Sequence, residues 1–484
     1  MSLKSKLVPL IRQCLVTGGV SLGVMEHGLV LGFTAILLPQ LRQNPKMNMN
    51  IYIESWIASI NGLSFFCSFF PGVIIGPFIM RKYGRRKANL VSAIIMIIAW
   101  SCIFAASDVN LILTSRFLQG VALGLSSMSA SVLIGEYTTP KYRGAFLSVM
   151  TLTMLLGGLI VHMIGSFLIW NQTALFCLSI AVLDAIIITI SPETPVFLAT
   201  NARYDECRKV FHWLRGFDEE DELDAMIKAA VIKKSMKCES NKSSLKDKVL
   251  HVISFLKRPD FYKPLIIMLH LDIIELWCGY MIIETYAIDI LTMLLGDDIN
   301  VPTNIMIIGV LRIVSCLCAI PIHTKIKRCT ALKLLIGLNV LSYMFLSGYA
   351  YLKEQHLFKD FIVGSSLLYL LVFSFSAGSI PLVCTVSSEI FPLEYKEVST
   401  MITTLFASLN ITLKIKTFPY LIEAIGMYGT FLMYAILLTY ALIVTYCMLP
   451  ETKDKTLQNI EEEYWIKPSQ DTNSQNDELT PIKV

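Results

Sequence analysis

The sequence predicts an all-α membrane protein of twelve spanning helices, organised as two six-helix bundles. Three observations carry that expectation. Hydrophobic residues make up 54% of the 484-residue chain and charged residues 16%, with a mean hydropathy of +0.61; an average soluble domain carries roughly 25% charge. Apolar runs of about 20 residues, the length that crosses a bilayer, recur along the chain. Pro-Glu-Thr ends an apolar run at Pro192 and again at Pro450, a little over half the chain later, which is the spacing an internal duplication leaves.

The runs fall near 14–38, 54–80, 88–107, 111–135, 145–168 and 173–191, then near 263–293, 303–323, 331–352, 360–388, 397–422 and 428–449. They divide the chain into an N-terminal bundle over 14–191, a linker over 192–262, a C-terminal bundle over 263–449 and a tail over 450–484. The basic start, "MSLKSKLVPLIRQ", leads into a long run without a small-residue cleavage pattern, so it reads as a first span. The linker segment 201–260 is charged and helix-prone, as expected of amphipathic helices lying under the membrane domain. The last residues have the composition of a disordered terminus.

An even number of spans puts both termini on one side. The basic loops "RKYGRRK" (Arg81–Lys87), "PKYR" (Pro140–Arg143) and "TKIKRCTALK" (Thr324–Lys333) fall on that side, whereas "GDDIN" (Gly296–Asn300) falls opposite. Lys and Arg excess marks the cytoplasm, so both termini are expected inside, with the plasma membrane as the location. The sequon at Asn171 then lies outside and is a glycosylation candidate, while the one at Asn241 should be silent.

Composition also excludes functions. A net charge of +4 is too small to point to nucleic acid. Cysteines such as Cys67, Cys102, Cys177 and Cys316 sit inside apolar runs without paired spacing, against a zinc site or disulfide framework. There is no nucleotide loop, metal cluster or catalytic triad in the pattern, so no enzyme activity, metal or cofactor is expected. The expected partners are the bilayer and a small-molecule solute, with the chain acting as a monomer.

Further repeats join the Pro-Glu-Thr pair. "GRR" (Gly84–Arg86) follows span two and "KIKR" (Lys325–Arg328) follows span eight; "GEYTTPKYRG" (Gly135–Gly144) follows span four and "SEIFPLEYKE" (Ser388–Glu397) follows span ten. With "RFLQGVALG" (Arg116–Gly124), "SPETPVFL" and "PETKDKTLQNIEE" (Pro450–Glu462), these segments resemble the sugar porter family of the major facilitator superfamily, over roughly Leu15 to Glu463. "ESWIAS" (Glu54–Ser59) and "KTFP" (Lys416–Pro419) look most like its insect trehalose-transporter branch. The resemblance implies the major facilitator fold and carbohydrate transport by alternating access, facilitative, with trehalose or a hexose as candidate substrates. Two rivals stay open: a transporter of this fold for another, charged solute, and a nutrient sensor that binds without transporting.

Arg85, Arg86, Arg116, Glu136, Arg143, Glu193, Glu389, Lys396 and Glu451 are read as charges at the cytoplasmic ends of helices. Opposite charges there can pair across the halves and close the inner mouth, the gating role the resemblance implies; the alternative is anchoring among lipid headgroups. Arg81 stands where the family has an acid, Val196 where it has an arginine and Lys327 where it has a glycine, so the gate is weakened.

The substrate region departs further. Sugar porters carry a Gln-Gln-x-Ser-Gly-x-Asn run in span seven, whose amides suit sugar hydroxyls. Here the stretch reads "ELWCGYM" (Glu275–Met281), keeping Gly279, with Tyr286 matching a later tyrosine. Thr151 and Arg312 take the places of glutamines in spans five and eight, and Cys384 that of a span-ten tryptophan. The resemblance thus assigns substrate contact to Thr151, Glu275, Gly279, Tyr286, Arg312 and Cys384. Val30 occupies the position of the first-span acid of proton-coupled relatives, against that coupling. Glu26, His27, His162, Asp272, Glu275, Glu284 and Arg312 are ionisable groups inside spans, where a charge costs about 2.5–3.5 kcal/mol on insertion scales and normally faces a cavity or partner. His27 and His162 read as packing histidines. Asp272, Glu275, Gly279, Ile282 and Tyr286 share one face of an unbroken helix, with Glu284 off it unless the helix breaks near Gly279. Glu275 and Arg312 are expected to face one another across the cavity.

Overall fold

The structure, a computed structural model, describes all residues except 1–2, 45–46, 48, 65–69, 218, 241–258, 297–299, 359, 391–395 and 452–484. The first span is α1 (Leu3–Arg42). The second comprises α2 (Ile51–Ser64) and α3 (Phe70–Lys82). Spans three to six are α4 (Arg85–Phe104), α5 (Val109–Tyr137), α6 (Pro140–Gly165) and α7 (Trp170–Ile190). The linker holds α8 (Pro195–Thr200), α9 (Tyr204–Arg215) and α10 (Glu220–Ser240).

Span seven is broken into α11 (Pro259–Trp277), α12 (Tyr280–Thr285) and α13 (Ala287–Leu295). Span eight is α14 (Val301–Lys325). Span nine runs through α15 (Arg328–Ala331), a π-helical turn and α16 (Gly337–Glu354). Span ten is α17 (Phe361–Ser374), a second π-helical turn and α18 (Ile380–Ile390). Spans eleven and twelve are one long helix, α19 (Lys396–Met448), bent back where Gly426 takes φ 70°.

Nine described helices are long and apolar enough to cross a membrane on their own, and the remainder explain themselves. The second span is interrupted by undescribed residues, the fifth has the shorter apolar stretch Val149–Gly165, and Ile402–Met448 contains two spans. Twelve spans in two six-helix bundles result. Helices suit this setting because they satisfy their own backbone where no water can.

Lipid supplies no hydrophobic force between helices, so close packing has to hold them, and small residues permit it. A Cβ on Gly28 of α1 would meet the Met154 carbonyl of α6, and one on Gly157 would meet the Met25 carbonyl. Only glycine lets these two backbones lie so near. The two bundles touch through α1 against α12 and α13, α6 against α14, and α2 against α19. The linker docks on the N-terminal bundle: Arg12 donates to Trp213 O at 3.1 Å, Gln13 to Leu214 O at 3.0 Å, and Arg215 to Thr138 O at 2.7 Å.

Candidate functional site

The two Pro-Glu-Thr segments do the same physical task in each bundle. Arg86 N donates to Glu193 Oε1 at 3.0 Å at the start of α4. Arg328 N and Cys329 N donate to the Glu451 carboxylate at 2.8 and 3.2 Å at the start of α15. A helix N-terminus leaves unpaired N–H groups and a partial positive charge, and a carboxylate answers both. The first corner is tighter. Gly84 caps α4 at φ 110°, and a Cβ there would run into the Glu193 carboxylate. The second corner has Lys327 at φ −63° in that place, so no glycine is needed.

Around the first corner, Arg85 pairs with Glu136 at 3.4 Å, Arg86 donates to Ser191 O at 2.7 Å, and Tyr137 donates to Pro192 O at 2.7 Å. All of these contacts stay within one bundle rather than crossing between halves. The side chains of Arg143, Glu389, Lys396 and Cys384 lie outside the described residues, as does Asn241. Arg116 is a correction. It sits two turns into α5 from the N-cap Asp108, fully buried, donating to Val30 O and Gln119 Oε1 at 3.1 Å, with its guanidinium 5.2 Å from the Phe33 ring centre. It lies towards the opposite end of α5 from Glu136, so it does not join the charges of that corner.

The break in span seven organises the middle of the molecule. Gly279 adopts φ 113°, which halts α11 and opens the carbonyls at its end to side-chain donors. Three side chains take them up. Lys414 donates to Leu276 O, Tyr343 to Trp277 O at 3.4 Å, and Asn339 to Cys278 O at 3.2 Å. Lys414 is wholly buried, with its ammonium 5.5 Å from the Tyr434 ring centre and 5.8 Å from that of Trp277. A cation at the carboxyl end of a half-helix is electrostatically favoured. Sequence reading passed over Lys414, although a lysine mid-way along an apolar run was the available signal.

The break re-aims the C-terminal half of the span. Asp272, Glu275, Gly279, Ile282 and Tyr286 therefore do not share one face: Tyr286 turns inward to donate to Ile415 O at 3.2 Å and packs on Phe418. The expected approach of Glu275 to Arg312 is likewise corrected. Arg312 is paired with Glu284 of α12, both at most 5% exposed, and its guanidinium lies 4.8 Å from the Tyr280 ring centre. Glu275 is half-buried and Asp272 buried on α11, below the break.

Glu284 also reaches the other bundle. A Cβ on Gly158 of α6, or one on Gly32 of α1, would meet its Oε1, and His162 flanks the same notch. Glycines on two helices thus leave room for a carboxylate between the bundles. His27 is bound to Ser127 at 2.9 Å. Glu26 faces the interior of its own bundle, accepting from Trp100 Nε1 at 2.8 Å, and is not part of the inter-bundle surface. Asp184 of α7, which the sequence reading missed, is buried near it beside Gly23. Thr151 is exposed on the N-terminal half of α6. Asn171 lies in the first turn of α7, its amide donating to Phe104 O at 3.1 Å.

Two bundles that repeat one corner and meet at a broken mid-membrane helix define a transporter architecture of the major facilitator type. The chain belongs to the family described as Sugar (and other) transporter, which it matches over residues 21–464. Among its relatives, the facilitated trehalose transporter Tret1 of Bombyx mori is 27% identical over 456 residues, covering 93% of this chain and 86% of that protein. Tret1 of Apis mellifera ligustica is 27% identical over 459 residues, covering 93% and 88%. Tret1 of Drosophila virilis is 27% identical over 93% of this chain, which spans 48% of that protein. Among solved structures, the inward open xylose transporter XylE from E. coli superposes with a TM-score of 0.73 at 18% identity, covering 93% of this chain and 99% of that one. XylE as a proton:xylose symporter bound to 6-bromo-6-deoxy-D-glucose gives 0.68 at 17% identity, covering 93% and 99%. That likeness is one of fold.

Proposed function

We propose that the chain carries a neutral carbohydrate, trehalose or a hexose, across the plasma membrane by alternating access without an ion gradient, as a monomer with both termini in the cytoplasm. The observation that carries the neutral assignment is the Glu284–Arg312 pair. It places a guanidinium at the inter-bundle site but cancels its charge, leaving a wall of donors and acceptors rather than a net field. The names of the Tret1 relatives support trehalose as the first candidate. Val30 in place of the first-span acid supports a facilitative mode. No covalent step is assigned to the protein, and no metal or cofactor takes part in the scheme.

Movement follows from the architecture: each bundle is rigidified by its own capped corners, and the broken span seven lets its outer half shift against the other bundle. The Arg85–Glu136 corner with Arg143, and its counterpart in the second bundle with Glu389 and Lys396, would close the inner mouth in the opposite state. Purified protein in proteoliposomes, offered radiolabelled trehalose, glucose, organic anions and organic cations, tests the reading. Saturable uptake of a neutral sugar supports it. Uptake of ions alone would favour the charged-solute reading, and sugar binding without uptake would favour a sensor.

A further inference from the structure

Two motifs set apart in the sequence, "ESWIAS" and "KTFP", have no part in the central site. The structure brings them together. Lys416 of α19 lies 3.7 Å from the Trp56 ring centre, 5.3 Å from that of Tyr52, and its ammonium donates to Ser55 Oγ at 3.2 Å across 361 residues of chain. Tyr420 reaches the same Ser55 hydroxyl at 3.3 Å. Next to them, Arg42 at the outer end of α1 binds two carboxylates at once. One is Glu54 of the same bundle, at 2.8 and 3.0 Å; the other is Asp289 of the C-terminal bundle, at 2.6 and 3.2 Å. Glu54 and Asp289 each stand in the first turn of a helix, where a negative charge is favoured.

We infer that these contacts form one outer clasp: Arg42 and Lys416 are positioning residues that hold the two bundles together on the outer side and so set the balance between outer-closed and outer-open states. Both cations cross the bundle boundary, and each meets a partner suited to it, a forked guanidinium on paired carboxylates and an ammonium on an indole face. Both sets lie at the outer ends of helices that must part for a solute to enter from outside. Arg42 is 37% exposed and the Tyr52 ring more so, so each contact is weak enough to open in every cycle. The inference rests on alternating access but not on which sugar is carried.

Its test needs no solute. A cysteine at Ser59, buried one turn below Ser55, reports outer opening through its labelling by a membrane-impermeant maleimide added outside. A cysteine at Thr151, exposed on the inner half of α6, reports the inner side. Lys416→Met, Arg42→Gln and Asp289→Asn should each raise labelling at position 59 about fivefold, the population change from a loss of about 1 kcal/mol, and lower it at position 151. Lys416→Arg, which keeps a cation on the indole, should return both rates to those of the parent. Equal rises on both sides would indicate general loosening and overturn the inference, as would unchanged rates. Failure of all three variants to reach the membrane would overturn it too, because a clasp that only sets a conformational balance is dispensable for folding.

Discussion

Glu284 and Arg312 form a buried ion pair where the two bundles meet, one from the C-terminal half of a broken helix and one from the helix that follows it. Removing one member of such a pair strands a charge and costs about 3–5 kcal/mol, whereas replacing both by neutral groups of similar volume is often nearly neutral. Glu284→Gln or Arg312→Met alone is therefore expected to lower the unfolding temperature in detergent sharply. The double variant should recover most of the loss. Additive losses would show that the two groups act separately.

The same carboxylate fits the notch left by Gly32 and Gly158. Gly158→Ala places a methyl where Glu284 Oε1 lies, so the outer half of span seven cannot seat against the N-terminal bundle. Labelling of an outer-vestibule cysteine should rise several-fold. Shortening the acid in the same background, Glu284→Asp, should bring the rate part of the way back. A Gly158→Ala variant with normal outer labelling would place the notch outside the closure.

Much of this architecture was legible from composition and spacing. Spans announce themselves because a bilayer demands about 20 apolar residues each, and the duplicated Pro-Glu-Thr announced a shared structural task. What that task is, capping α4 and α15 with Glu193 and Glu451, required coordinates. Helical spacing pairs Arg312 with Glu275 and the structure pairs it with Glu284, because a glycine break at φ 113° rotates half of a helix by an amount no periodicity encodes. Arg116 and Glu136 lie towards opposite ends of α5, so one mouth does not hold both, a separation already contained in their spacing. The clasp joins Ser55 to Lys416, and a single sequence carries no signal for contacts at that range.

The inner corners make an asymmetric prediction. Gly84→Ala forces a β-carbon into the Glu193 carboxylate at a φ that side chains rarely adopt, a strain of about 1–3 kcal/mol. Lys327→Gly at the matching place should cost only a few tenths of a kcal/mol, the ordinary effect of glycine at a helix cap. Thermal unfolding of the two variants side by side checks the difference. Equal effects would mean that the corners are not built as described.

Lys414 should prove structural in spite of its charge. Lys414→Met keeps the volume but leaves Leu276 O without its donor, a loss of about 1–3 kcal/mol for an unsatisfied buried carbonyl. Deuterium exchange should quicken in residues 276–283, around the break, and stay unchanged in α4 and α5. Uniform change across both bundles would argue against a local role.

The central claim is that a neutral sugar crosses by alternating access with no ion gradient, and counterflow tests it most directly. Proteoliposomes loaded with unlabelled trehalose or glucose are diluted into a trace of the same labelled sugar, with pH and salt equal on both sides and a protonophore present. The account predicts a transient accumulation of label inside above the external concentration, driven by outward flow of the unlabelled sugar. Label that never rises above its external level for either sugar, or that accumulates only when a proton gradient is imposed, would contradict it.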